Sequence, residues 1–242
     1  LFFFNHKPAY AMLRSLVGSE MCIRDSMIDA VKITKANVAK ILKSYQAVLV
    51  PGGFGSRGIE GMIFACEFAR KNKLPYFGIC LGMQIAIIEF SRNVLKLKNA
   101  NSTEFNIKTK YPVIGLVTEW KDASGKIEHR DENSNLGGTM RLGGQKCLVK
   151  RNSLSHKLYK KLTITERHRH RYEVNPEYKN QLIAGGMDIV GTSLDGNLAE
   201  MIEIKKHPWF LGCQFHPEFT SNPRDGHPIF NDFIAKAIKI KR

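Results

Sequence analysis

Leu74-Pro75-Tyr76-Phe77-Gly78-Ile79-Cys80-Leu81-Gly82-Met83-Gln84-Ile85-Ala86-Ile87-Ile88-Glu89-Phe90 decides the fold of this chain. The apolar run from Leu74 to Cys80 has the length of a buried strand. It passes through Gly-x-Cys-x-Gly into a segment with helical spacing at Ile85, Ile88 and Glu89. The same pattern stands upstream. Ala47-Val48-Leu49-Val50 is a short apolar run stopped by Pro51-Gly52-Gly53, and Ile59, Met62, Ile63, Cys66 and Ala69 line one helical face. Residues 31–43 also end in helical spacing. Helices alternating with buried strands predict a parallel sheet with helices on its faces. Downstream, residues 111–120, 145–151, 164–174, 182–193 and 198–204 read as strands. Residues 209–215 read as a further apolar strand, and 229–240 as a closing amphipathic helix with a basic end. The polar, glycine-rich residues 121–144 read as a long loop, a length usually tied to function or disorder. The class expected is α/β, with a mostly parallel central sheet flanked by helices and additional antiparallel strands.

Composition narrows the function. The 242 residues are 43% hydrophobic and 24% charged, a globular balance for a chain long enough to bury a core without disulfides. The five cysteines, Cys22, Cys66, Cys80, Cys147 and Cys213, are scattered without a C-x-x-C pair. That pattern fits neither a disulfide framework nor a zinc site, so no metal is expected, and a reducing, cytoplasmic setting is. No apolar run approaches the ~20 residues of a membrane span. The net charge of +15 attracts anions. With no zinc-finger, RNP-type or heptad pattern beside it, nucleic acid is not the expected main partner, and a lysine-rich solvated surface is the plainer reading.

The chemistry concentrates at strand ends. Cys80 sits where a strand turns into a helix. Flanking glycines permit such a bend, and a helix N-terminus favours negative charge on sulfur. A buried structural cysteine with two packing glycines is the alternative. His216, in Phe215-His216-Pro217-Glu218-Phe219, follows the Trp209 strand and is the candidate base, with Glu218 as the group that orients it. Sites in open α/β sheets form at the carboxyl ends of strands, where both residues fall. Pro51-Gly52-Gly53-Phe54-Gly55 follows Val50 on the same edge. It can offer backbone N–H groups to an oxyanion together with Leu81, or be only a tight turn. A P-loop Gly-Lys-Ser/Thr and a dinucleotide fingerprint are both missing. In Glu166-Arg167-His168-Arg169-His170-Arg171-Tyr172 strict alternation places three arginines on one strand face and His168, His170 and Tyr172 on the other.

Pro-Gly-Gly, Gly-x-Cys-x-Gly and His-Pro-Glu, in that order, resemble the class I glutamine amidotransferases. PGGFGSRGIEGM, FGICLGMQIAIIEFSRNV, LGGTMRLGGQ, ERHRHRYEVN and CQFHPEFTSNP resemble the C-terminal glutaminase domain of CTP synthases, over residues 27–239. The resemblance implies the flavodoxin-like architecture of that class and a Cys80-His216-Glu218 triad that hydrolyses L-glutamine to glutamate and ammonia. It implies an oxyanion hole from Gly53 and Leu81. Glutamine contacts would come from Gly53, Phe54, Leu81, Gly82, Met83, Gln84, Glu104 and Arg171. The last two suit the α-ammonium and α-carboxylate of the substrate. It also implies a lid responsive to GTP, an activator in the family, carrying Arg130, Gly137, Gly138 and Arg141.

Complete enzymes of that family add a synthetase domain that uses ATP, Mg and UTP, and assemble as tetramers. Nothing in the chain resembles that domain, so the expectation is a glutaminase half with no cofactor of its own. Residues 1–26 lack the strand and helix expected ahead of Met27. They are expected to be foreign or disordered, leaving 27–242 as an N-terminally truncated domain. Two other readings use the same residues: a stand-alone γ-glutamyl hydrolase, and an inactive fragment or binding module.

Overall fold

A computed structural model describes residues 2–3, 25–116, 119–121, 127–129 and 140–240. Its centre is a nine-stranded sheet. In chain order the first strands are β1 (Phe2–Phe3), β2 (Met27–Ile28), β3 (Val48–Val50) and β4 (Tyr76–Ile79). A short helix α1 (Val38–Leu42) precedes β3, α2 (Ile59–Lys71) joins β3 to β4, and α3 (Leu81–Asn93) leaves β4. β5 (Asn101–Ser102), β6 (Pro112–Leu116), β7 (Glu119–Lys121) and β8 (Ile127–His129) follow. Next come β9 (Arg141–Val149), α4 (Leu154–Tyr159), β10 (Thr163–His170), β11 (Tyr172–Val174), α5 (Lys179–Gly185) and β12 (Met187–Ser193). β13 (Ala199–Ile204), β14 (Phe210–Cys213) and α6 (Pro228–Ile238) close the chain.

The main sheet runs β10-β9-β12-β13-β14-β4-β3-β1-β2. From β14 to β2 every pairing is parallel, and from β10 to β14 every pairing is antiparallel. The parallel half carries the site. The antiparallel half is a curled extension from the later sequence. Phe2–Phe3 pairs in parallel with both Met27–Ile28 and Leu49, so its backbone stands inside the sheet. Residues 4–24, the remainder of the segment expected to be foreign, lie outside the described residues.

The strand pattern builds two cores. Val48 and Val50 face one layer with α2 and α3, while Leu49 faces the other. There Phe77 and Trp209 meet Phe230 and Phe233 of α6, with ring centroids 5.1–5.9 Å apart. Trp209 also donates from Nε1 to Asp232 at 2.7 Å, so its polar edge is satisfied. α3 is buried from Leu81 to Ser91. It has no polar face because it lies between the main sheet and a three-stranded sheet, β11-β6-β5. Arg70 of α2 reaches the fully buried Glu89 of α3 with two bonds, 2.6 and 2.7 Å, and locks these helices together.

Two expected strands are corrected. Within 182–193, residues up to Gly185 form α5, and only Met187–Ser193 is strand; Gly186, at φ 104°, is the left-handed residue that stops the helix. Within 164–174, the strand breaks at Arg171. The alternation of exposed and buried residues holds through His170, but Tyr172 belongs to β11 and pairs with β6 in the other sheet. The expected loop 121–144 also contains β8, paired to β7, and the first residues of β9.

Candidate active site

Three strand ends meet at one edge. β4 delivers Cys80, β3 delivers Pro51-Gly52-Gly53, and β14 delivers Gln214-Phe215-His216. Cys80 has φ 51° and ψ −102°, outside the left-handed helical region as well as the common ones. Such backbone costs about 1–3 kcal/mol and persists because its surroundings enforce it. Here the Cys80 N–H donates to the Cys213 carbonyl at 2.7 Å, and the Cys80 carbonyl accepts from Met83 and Gln84. The glycines are required by close approach. A Cβ at Gly82 would lie 2.0 Å from the Val50 carbonyl oxygen, and one at Gly78 would lie 2.5 Å from the Gly82 backbone.

His216 faces the same point. Its Nδ1 is 2.6 Å from Glu218 Oε1, and its backbone N–H donates to Arg167 O at 2.8 Å. A Cβ on Gly52 would be 2.7 Å from His216 Cε1 and 3.4 Å from Cys80 Cβ, so glycine is the residue that lets ring and sulfur share one wall. Nε2 is buried and meets no partner in full hydrogen-bond geometry; the Cys80 sulfur is the group it approaches. Burial disfavours the imidazolium, but Cys80, by charge and contact, and Glu218 outweigh it and push the ring's pKa up to about 10.

The outer residues converge too. The Gly53 Cβ position is 3.2 Å from Leu81 Cδ2, so the two residues expected to supply the oxyanion donors are neighbours. Glu104 accepts from the Gly55 N–H at 2.9 Å. Burial raises its carboxyl above the ordinary range, opposed by that bond and by the charge of Arg171. Arg171 stands at the corner between β10 and β11, near enough to Glu104 for its charge to act on that carboxyl. Phe54 is half exposed at the rim (52%). Gln84 donates from Nε2 to the Tyr172 carbonyl at 2.8 Å.

Arg141, expected on the lid, lies on a strand. It opens β9 with its guanidinium buried, 2.5 Å from Glu173 and 2.9 Å from Glu200. Burial pushes Glu200 up to about 8 against the pull of Arg141, with the charge of Glu173 adding. Glu173 is buried as well, yet Arg141 and His170 hold it below the ordinary carboxylate range. Both carboxylates therefore face the one guanidinium inside the protein. Arg130, Gly137 and Gly138 lie outside the described residues. His170 is taken by Glu173 at 2.8 Å, and among the described residues no cluster of three His, Cys, Asp or Glu side chains could hold a metal.

The model of the glutamine amidotransferase class I family matches residues 15–236. The chain belongs to the class I glutamine amidotransferases. The glutaminase domain of Trypanosoma brucei CTP synthase, solved with acivicin bound, superposes on this amidotransferase with a TM-score of 0.84 at 32% identity. The match covers 100% of this chain and 94% of that one. A putative GMP synthase component from Thermoplasma acidophilum matches at TM-score 0.59 and 15% identity over 98% and 92% of the two chains, a likeness of fold alone.

Several residues around the amidotransferase site carry little signal in the sequence. Gln214 lies against Cys80 (3.6 Å), and its only sequence signal is its place in Cys-Gln-Phe-His. Glu166 accepts from Tyr159 (2.8 Å), His227 (2.9 Å) and Thr220 (2.6 Å). Thr220 caps the 217–219 turn that holds Glu218, so Glu166 fixes that turn from beneath.

Proposed function

We propose that the chain hydrolyses L-glutamine through Cys80, His216 and Glu218. The observation that carries this reading is the imidazole clamped between Glu218, at 2.6 Å, and the Cys80 sulfur, at the mouth of a glycine turn. The Cys80 thiol passes its proton to His216, its sulfur attacks the carbonyl carbon of the side-chain amide, and the displaced charge on oxygen falls to the N–H groups of Gly53 and Leu81. Collapse breaks the C–N bond. His216 gives its proton to the departing nitrogen, leaving ammonia and a γ-glutamyl thioester. The neutral imidazole then takes a proton from water, whose oxygen attacks the thioester and releases glutamate with the thiol restored. Glu218 keeps the ring's orientation and balances its charge in both steps. Glu104 and Arg171 hold the substrate's α-ammonium and α-carboxylate.

The ammonia is passed to a synthetase domain that converts UTP to CTP with ATP and Mg, the arrangement supported by the likeness to the trypanosomal CTP synthase domain. The test compares glutamate release from L-glutamine and from γ-glutamyl dipeptides by wild type and Cys80→Ala. Turnover of glutamine that depends on Cys80 and exceeds dipeptide turnover is expected. Preference for dipeptides would overturn the substrate assignment, and residual activity in Cys80→Ala the mechanism.

A further inference from the structure

Two buried carboxamides connect the second sheet to the sulfur. Gln84, on the first turn of α3, and Gln214, just past β14, are 3% and 0% exposed. The Tyr172 main-chain carbonyl can only accept, so the 2.8 Å contact places the Gln84 NH2 group toward it and fixes that amide's orientation. The same nitrogen lies 3.2 Å from Gln214 Oε1. Gln214 therefore accepts from Gln84 on one side, which turns its own NH2 toward Cys80, with Nε2 3.6 Å from Sγ. A glutamine in this place has no packing reason to be polar, since a methionine of similar length would fill the volume without two buried hydrogen bonds.

We infer that Gln214 is a positioning residue for the nucleophile: its amide, oriented by Gln84 and the Tyr172 carbonyl, donates a hydrogen bond that holds the Cys80 sulfur and favours its thiolate. A hydrogen bond to an ion is stronger than one to a neutral group, so the donor favours the charged form. The sulfur then has two partners: the amide holds it, while His216 exchanges protons with the substrate. The inference rests on the reading of Cys80 as the nucleophile.

The test is the pH dependence of Cys80 alkylation by iodoacetamide, followed by peptide mass in the full chain without substrate. In wild type, Cys80 reacts ahead of Cys66, Cys147 and Cys213, although all four are buried. In Gln214→Met the midpoint of the rate profile rises by about one pH unit, an approximately tenfold slower reaction below it. Gln214→Asn, which keeps an amide but falls one methylene short, shifts it in the same direction and serves if the methionine variant does not fold. A midpoint unchanged in a folded variant overturns the role of Gln214 and leaves the triad reading standing. Cys80 no more reactive than Cys66, Cys147 and Cys213 in wild type overturns the nucleophile reading itself.

Discussion

Gly52→Ala separates the site from the fold. The alanine methyl would sit 2.7 Å from His216 Cε1, where carbon atoms rest comfortably at about 3.5 Å. The backbone at Gly52 does not have positive φ, so alanine adds no conformational strain there. The ring must retreat by roughly 0.8 Å, the shortfall against that contact distance. Its Nδ1 is tied to Glu218 at 2.6 Å, so the movement tilts Nε2 away from the sulfur. Misplacement on this scale costs about 100-fold, or ~2.7 kcal/mol of barrier. Stability should fall by less than ~1 kcal/mol, since one side chain moves and no core is opened. The assay is kcat/KM for glutamate release with a thermal melt beside it. Gly144→Ala, whose methyl would meet only Thr165 Cγ2 at 3.5 Å, is the control. Activity in Gly52→Ala within threefold of wild type would refute the reasoning, because the ring would then not be held where the structure places it.

Arg70→Met leaves the buried Glu89 carboxylate facing Asn93 alone, and a urea titration should show a loss of about 3–5 kcal/mol. Glu166→Gln offers a donor to the Tyr159, Thr220 and His227 groups that now donate to the carboxylate. It should cost roughly 2–3 kcal/mol by the same titration, with glutaminase activity lowered through the 217–219 turn. The His216 pKa is raised from 6.5 to about 10. Its proton thus stabilises the fold fully below about pH 6.5, and that contribution drains away as pH climbs through 10. Wild type should accordingly lose more stability between pH 7 and 10 than His216→Asn, measured as urea midpoints at each pH.

How much can be read from the chain alone follows from which forces are local. β3, β4 and α3 are legible because an apolar run ending in glycine turns leaves few alternatives. Cys80 is legible because the residues that force its strained φ, Gly78 and Gly82, stand beside it in sequence. α5 reads as strand in the sequence: Gln181-Leu182-Ile183-Ala184 suits either state, and only the packing of Leu182 into the core decides it. Arg141 reads as a lid residue by charge and neighbourhood, but its partners Glu173 and Glu200 are 32 and 59 residues away, so nothing nearby announces a buried pair. Gln214 escapes for a related reason. Its meaning depends on an amide from α3 and a carbonyl from β11, which only the folded chain brings together.

The account turns on Cys80 acting as a nucleophile toward a glutamine side chain. Its most direct test is treatment of the folded chain with a glutamine-mimicking electrophile, followed by peptide mass spectrometry. One adduct on Cys80, suppressed by L-glutamine and by His216→Asn, with Cys66, Cys147 and Cys213 unmodified, is the predicted result. An unmodified Cys80 in folded protein, or an adduct that L-glutamine does not suppress, would contradict it.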